Sequence, residues 1–254
     1  MSAYILLSEI GVLTALFLFL SGVIKGSIGF GQPLVAISLL TLIHDIEFSL
    51  ALISLSLVAT NLKLAFSGDK ISKTLKDYRT IVVAIIIGTT TGVAVISYVN
   101  KSAVQIMLGA LVIGFVLMGF FKFELNKVNP SGGKATVIGL IAGLIGGITS
   151  AFGPLLAAFL KSQKLEKAQF VSVLCVLILA GATTLSISLG AFALYTANSF
   201  FFAILACIPT FAGLWLGEKI RQRINAEMFF NIVSIAILVT GINLVRTGIV
   251  GILN

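Results

Sequence analysis

Charge, and negative charge above all, is what this 254-residue chain has least of: nine Asp and Glu stand beside seventeen Lys and Arg, so that 10% of residues are charged. Soluble domains carry about 25%, and a core of this size cannot be held in water without such a shell. One histidine, His44, and two cysteines, Cys175 and Cys207, occur without a CxxC or a Cys/His cluster. That sparsity argues against zinc, haem and iron–sulfur centres and against a disulfide framework. No Walker loop, no GxGxxG and no nucleophile with a base partner is found, so the chain is expected to be neither an ATP-driven pump nor an enzyme, and to need no cofactor. The opening stretch MSAYILLSEIGVL lacks a basic n-region and carries Glu9, so it is expected to stay in the mature protein.

What is present is apolar: 58% of residues are hydrophobic and the mean hydropathy is +1.15. The fold class this implies is an all-α, polytopic integral membrane protein. The net charge of +8 is placed in short interhelical loops, which marks topology and not a nucleic-acid footprint. Polar interruptions leave apolar runs near 4–43, 48–66, 81–99, 103–121, 135–160, 168–194, 199–217 and 227–249. Most suit one crossing of about 20 residues. The first and fifth are interrupted by glycine and proline, in SGVIKGSIGFGQPL and AGLIGGITSAFGPL, and read as two shorter helices around a non-helical break.

The two breaks match each other. Gly22 pairs with Gly143, Gly26 with Gly147 and Pro33 with Pro154, each 121 residues apart, and at the same offset Thr89 and Gly92 meet Thr210 and Gly213. An internal duplication follows, with repeats at 1–125 and 135–254 and a cytoplasmic linker at 126–134. Equivalent loops have opposite basicity: the interval 67 to 80 holds Lys70, Lys73, Lys76 and Arg79, whereas 188 to 201 holds no Lys or Arg. Loops near 67–80, 122–134, 161–167 and 218–226 hold thirteen of the seventeen basic residues, and the positive-inside rule places them in the cytoplasm. The repeats are therefore expected to be inverted, each a broken, re-entrant hairpin plus three full crossings, with the C-terminus outside.

Inverted repeats with one broken hairpin each are a transporter layout, with the breaks meeting near the midplane. Proline fits the first turn of each restarting helix, whose N-terminal amides and positive dipole end suit an anion. Beside the first break lie Ser27 and Gln32, and within the second Thr149 and Ser150, all able to donate to oxyanion oxygens. Lys25 is the one cation placed in a break; it either binds substrate or snorkels to the surface. Asn61 on the next crossing either satisfies broken backbone or reaches substrate. Thr89 and Thr210 either line the pathway or bond their own preceding turn. Phe30 and Phe152, beside break glycines, are candidate gates.

These residues also carry a resemblance. SGVIKGSIGFGQPLVAISLL resembles the Gly-Phe-Gly break of the TauE/SafE sulfite exporter family, also called the toluene-sulfonate uptake permease family, and AGLIGGITSAFGPLLAAFL is similar to its second-half motif. The resemblance implies a secondary transporter of sulfite or small organosulfonate anions in the bacterial cytoplasmic membrane. By motif position it implies break residues at Gly26, Gly29, Phe30, Gly31, Gln32 and Pro33, then at Gly147, Gly153 and Pro154. Gln169, a pathway or gating candidate, stands about where family members often carry Arg; if that Arg binds substrate or holds a gate, the departure implies a different substrate or coupling.

The expected function is thus export of a small anion by alternating access, from a site between the two broken hairpins. A continuous anion channel, and a carrier of a non-sulfur organic anion, are the alternatives. The expected partners are the anion and the lipid bilayer, and no nucleic acid. Coupling to a proton or sodium ion and assembly into a homo-oligomer stay open.

Overall fold

The structure, a computed structural model, describes residues 2–29, 31–66, 71–120, 128–220 and 226–253, all of whose regular elements are helical. Phe30, Lys70, Arg221 and Arg223 lie outside the described residues, as do 126 and 127 of the expected linker. The helices are α1 (Ser2–Ile28), α2 (Gln32–Leu40), α3 (Ile46–Ala65), α4 (Ile71–Asp77), α5 (Arg79–Tyr98), α6 (Lys101–Phe120), α7 (Gly133–Thr149), α8 (Gly153–Lys161), α9 (Lys167–Ala191), α10 (Ala197–Ile220) and α11 (Ala226–Leu253). Five of them, α1, α3, α5, α9 and α10, contain described stretches of 19 to 23 residues long and apolar enough to cross a membrane.

Both expected breaks are present, between α1 and α2 and between α7 and α8. In each, the last turn ends on a residue with left-handed backbone, Gly29 (φ 94°) and Ser150 (φ 61°), at positions 121 apart. Proline then occupies the first turn of α2 and of α8, where its missing N–H leaves no helical hydrogen bond unmade. Two boundaries differ from expectation. The basic interval 67 to 80, read as loop, contains the short helix α4, whose Thr74 is buried, and α7 starts inside the expected linker, at Gly133.

The packing repeats under exchange of the halves. α1 lies along α10, and its counterpart α7 lies along α5; α3 packs on α9, and α6 on α11. The last two pairs match each helix with its own counterpart, and both pairs are antiparallel. Ser172 near the start of α9 donates to the carbonyl of Ala65 at the end of α3, and a Cβ on Gly248 of α11 would meet Ser102 at the start of α6. Counterparts running in opposite senses are what an inverted repeat requires.

Glycine sets the spacing of the interlocked pairs. A Cβ on Gly22 would fall on the backbone carbonyl of Thr210, one on Gly26 on that of Leu214, and one on Gly213 on that of Phe19. In the other half, Gly143 faces the carbonyl of Ile85, Gly147 that of Thr89, and Gly88 that of Leu140. These contacts correct the sequence register. The offset of 121 holds for α1 and α7, but in α5 and α10 the equivalent glycines are Gly88 and Gly213, and Gly92 and Gly217, 125 apart. Four residues are about one helical turn, so the shift keeps the glycines on the packing face. Thr89 and Thr210 are therefore not counterparts.

Candidate functional site

The first break is lined by a connected polar cluster. Lys25, in the last turn of α1, is 2% exposed and turns inward, so it does not snorkel. Its Nζ donates to Oγ1 of Thr60 on α3 at 2.8 Å. Thr60 Oγ1 lies 3.1 Å from Oε1 of Gln32, and Gln32 Nε2 donates to Oγ of Ser56 at 3.1 Å. Ser56 and Thr60 are one turn apart on α3, which puts both on the face that meets α2. Ser56 stands at the middle of α3, and the cluster lies between the Ser54–Tyr195 bond and the Ser172–Ala65 bond.

The charge balance of this cluster is unusual. Among the described residues every partner of the ammonium is neutral, and the acid–base pairs lie elsewhere, Lys63 with Glu218 at 2.9 Å and Lys101 with Glu47 at 3.6 Å. Cys175 of α9 is the other ionisable group that faces Lys25. Buried charge is normally paired. Next to the cluster, Asn61 is fully buried; its Nδ2 donates to the carbonyl of Leu57 at 2.8 Å, while Oδ1 has no hydrogen-bond partner.

The remaining break residues divide by role. Ser27 donates to the carbonyl of Val23 at 2.8 Å and lies 3.3 Å from that of Gly217, so it ties α1 to α10. Gly29 donates its N–H to the carbonyl of Lys25, closing the helix, and Gly31 takes φ 92° to start α2 at Gln32 and Pro33. In the second break, Thr149 bonds the carbonyl of Ile145 and accepts from the N–H of Ala151, a local cap. Ser150 is buried, its Oγ has no partner, and a non-glycine residue with positive φ is strained by about 1–2 kcal/mol. Ser150→Gly should therefore raise stability by about 1 kcal/mol, read as thermal unfolding in detergent; a lower melting point would refute the strain.

The second half does not copy the cluster. At the offset of 121, Lys25, Gln32, Ser56, Thr60 and Asn61 become Gly146, Gly153, Leu177, Gly181 and Ala182. The space is filled by Phe152, fully buried, on whose ring a Cβ at either Gly146 or Gly181 would fall. Phe152 is thus a packed wedge between α7 and α9. The two breaks nonetheless share a wall: a cavity of about 250 Å³ is lined by Leu34 of α2 and by Thr149, Ala151, Pro154 and Leu155. A larger cavity, about 540 Å³, lies at the α2–α3 turn; Lys101 in its lining pairs with Glu47, which leaves Asp45 to oppose an anion. His44 in that turn bonds Thr14 Oγ1 at 2.7 Å, and burial, opposed by the Asp45 charge, holds its imidazole below the usual histidine range.

Three expected residues are placed apart from the cluster. Thr89 and Thr210 are buried at helix contacts, and each hydroxyl bonds its own preceding turn, at Ile85 and Ala206. Gln169 stands half-buried in the first turn of α9. Ser56 and Cys175, conversely, were not singled out in the sequence. The i, i+4 spacing of Ser56 and Thr60 was a readable signal for the first; for Cys175 there was none, because it joins the site only through the α3–α9 crossing.

Comparison with known proteins bears on the identity of this arrangement. No curated protein and no solved structure matches the chain. The family model described as Sulfite exporter TauE/SafE matches residues 14–244, which takes in both breaks and the polar cluster. With nearly its whole length matched, and with the paired broken helices that its motifs foretold, the chain belongs to the TauE/SafE sulfite exporter family.

Proposed function

We propose that this protein is a secondary carrier that exports sulfite or a small organosulfonate across the bacterial cytoplasmic membrane by alternating access. The anion is held between the two broken hairpins, at the side of Lys25. The observation that carries the reading is a buried ammonium whose hydrogen-bond partner among the described residues is a neutral hydroxyl, at the mouth of a broken helix, in a family of anion transporters. An anion there supplies the missing counter-charge. Gln32, Ser56 and Thr60 orient it as hydrogen-bond donors, and the positive end of α2 adds to the attraction. The lone cluster in the first half implies one anion per cycle, with the Phe152 side serving as the apolar wall against which the halves move.

In this reading the positive-inside rule, applied to the basic loops, supports a C-terminus outside, and the two repeats act as one transport unit. For an anion that crosses without a coupling ion, an inside-negative potential favours exit by roughly 2.3 kcal/mol per elementary charge per 100 mV. The test is counterflow in liposomes, with sulfite on both sides and sulfate and methanesulfonate as competitors. Saturable, trans-stimulated exchange is expected, weakened about tenfold in Gln32→Ala, where a buried hydrogen-bond network loses its centre. Linear flux without trans-stimulation would instead establish a channel, and no flux from folded protein would refute transport of these anions.

A further inference from the structure

We infer that Lys25 couples the carrier to protons: it holds its proton while the anion is bound and gives it up when the anion leaves, so that anion and proton cross together. The inference rests on the anion-carrier reading above and deepens it. The geometry behind it is the neutrality of the surroundings. Lys25 is 2% exposed, and its bonded partner is the Thr60 hydroxyl. Among the described residues, the elements around it bring no counter-charge. α2 has no ionisable side chain, and on α1 itself Glu9 lies more than four turns away. On α10, Glu218 is held by Lys63 of α3 at 2.9 Å. From α9 comes the Cys175 thiol, buried within an apolar cluster.

With the anion bound, the ammonium and its ligand form a neutral pair that can cross the bilayer midplane. Once the anion has gone, the empty carrier must return. If Lys25 kept its proton, an unpaired cation would stay buried through the return, which is the costliest state of the cycle. Breaking one N–H bond of the ammonium, with the proton passing to water on the side where the anion left, makes the group a neutral amine. Thr60 can still bond it, the amine accepting as well as donating. The empty site takes up a proton again with the next anion. Net movement is then electroneutral, whereas exchange of one anion for another needs no proton at all.

Arginine separates these two modes, because a guanidinium keeps its charge throughout. The experiment uses the full chain in liposomes with two monoanionic probes, methanesulfonate and, in mildly acidic medium, sulfite. Exchange is followed by isotope, net efflux by loss of probe, proton movement by an internal pH dye, and the potential is set with potassium and valinomycin. For wild type, net efflux should carry roughly one proton per methanesulfonate, and a 100 mV clamp should leave the final gradient unchanged, where an uncoupled anion would shift it roughly 50-fold. Lys25→Arg should keep exchange within about tenfold of wild type and lose net efflux by more than about 50-fold.

Wild-type net efflux that follows the potential and moves no protons would overturn the inference while leaving the carrier intact. Lys25→Arg with undiminished net efflux would do the same. The wild-type measurement needs no substitution, so a variant that does not fold leaves the test standing. Wild type that exchanges neither probe would remove the carrier reading, and this inference with it.

Discussion

Lys25→Met should abolish counterflow, by at least about 100-fold, while the protein folds as well as wild type or better. Both halves of that outcome follow from the same burial. An anion drawn into the first break would find no cation, and losing the partner of a buried charge costs about 3–5 kcal/mol, or more than 100-fold in affinity. In the empty protein the effect has the opposite sign. There the side-chain nitrogen has a hydroxyl and no carboxylate for a partner, so replacing it with an apolar chain of similar length removes the cost of burying a polar group. Loss of transport with a raised melting temperature is the signature of a charge kept for its ligand. A structural lysine would give the reverse pattern, an unstable protein with transport lost only in proportion to the folded fraction. Lys63→Met is the control: its pair with Glu218 is 45% and 35% exposed, and such pairs contribute about 0–1 kcal/mol.

A second large effect is expected at the helix contacts. Gly22→Ala should destabilise the fold by about 3 kcal/mol or more, and Gly22→Val should prevent it from forming. The new methyl would fall on the backbone carbonyl of Thr210 and within 3.0 Å of the backbone nitrogen of Leu214. Backbone cannot step aside as a flexible side chain can, so α1 and α10 must separate along their length. Gly11→Ala in the same helix is the internal comparison, because a Cβ there meets nothing within 4 Å. At that site the gain in helix propensity predicts stabilisation of up to about 1 kcal/mol. The two alanines should thus move the unfolding temperature in opposite directions. Equal shifts would mean that the close approach of α1 to α10 is not what holds the interlocked pair together.

The same glycines show where the sequence was legible. The breaks could be read because only Gly, Pro and a few polar residues serve a chain that stops and restarts a helix inside an apolar run. Inversion could be read because the bases Lys73, Lys76 and Arg79 had no counterparts in the matching interval. The register of α5 against α10 was misread. Thr89 and Gly92 match Thr210 and Gly213 by letter, but the packing face is set by Gly88 and Gly92 against Gly213 and Gly217. With glycines four apart in both helices, the sequence is satisfied equally by two registers one turn apart. The site was half legible for a related reason. Lys25 and Gln32 stand out inside an apolar break and Ser56 lies one turn before Thr60, whereas Cys175 joins them only through the tertiary crossing of α3 and α9, which carries no local mark.

The interlocking of the halves has a consequence for biosynthesis. α1 packs on α10, but α10 begins at Ala197, long after α1 ends at Ile28. At roughly 5–20 residues per second the ribosome needs about 8–34 s to make the intervening chain. Through that interval the glycine face of α1 lies uncovered, and its lysine has only α3 to turn to once that helix has entered the bilayer. α1 is thus made long before the partner it packs on, so a chain stalled before α10 would leave an orphaned α1 in the membrane, marked for quality control by an uncovered glycine stripe and a lysine far from any counter-charge.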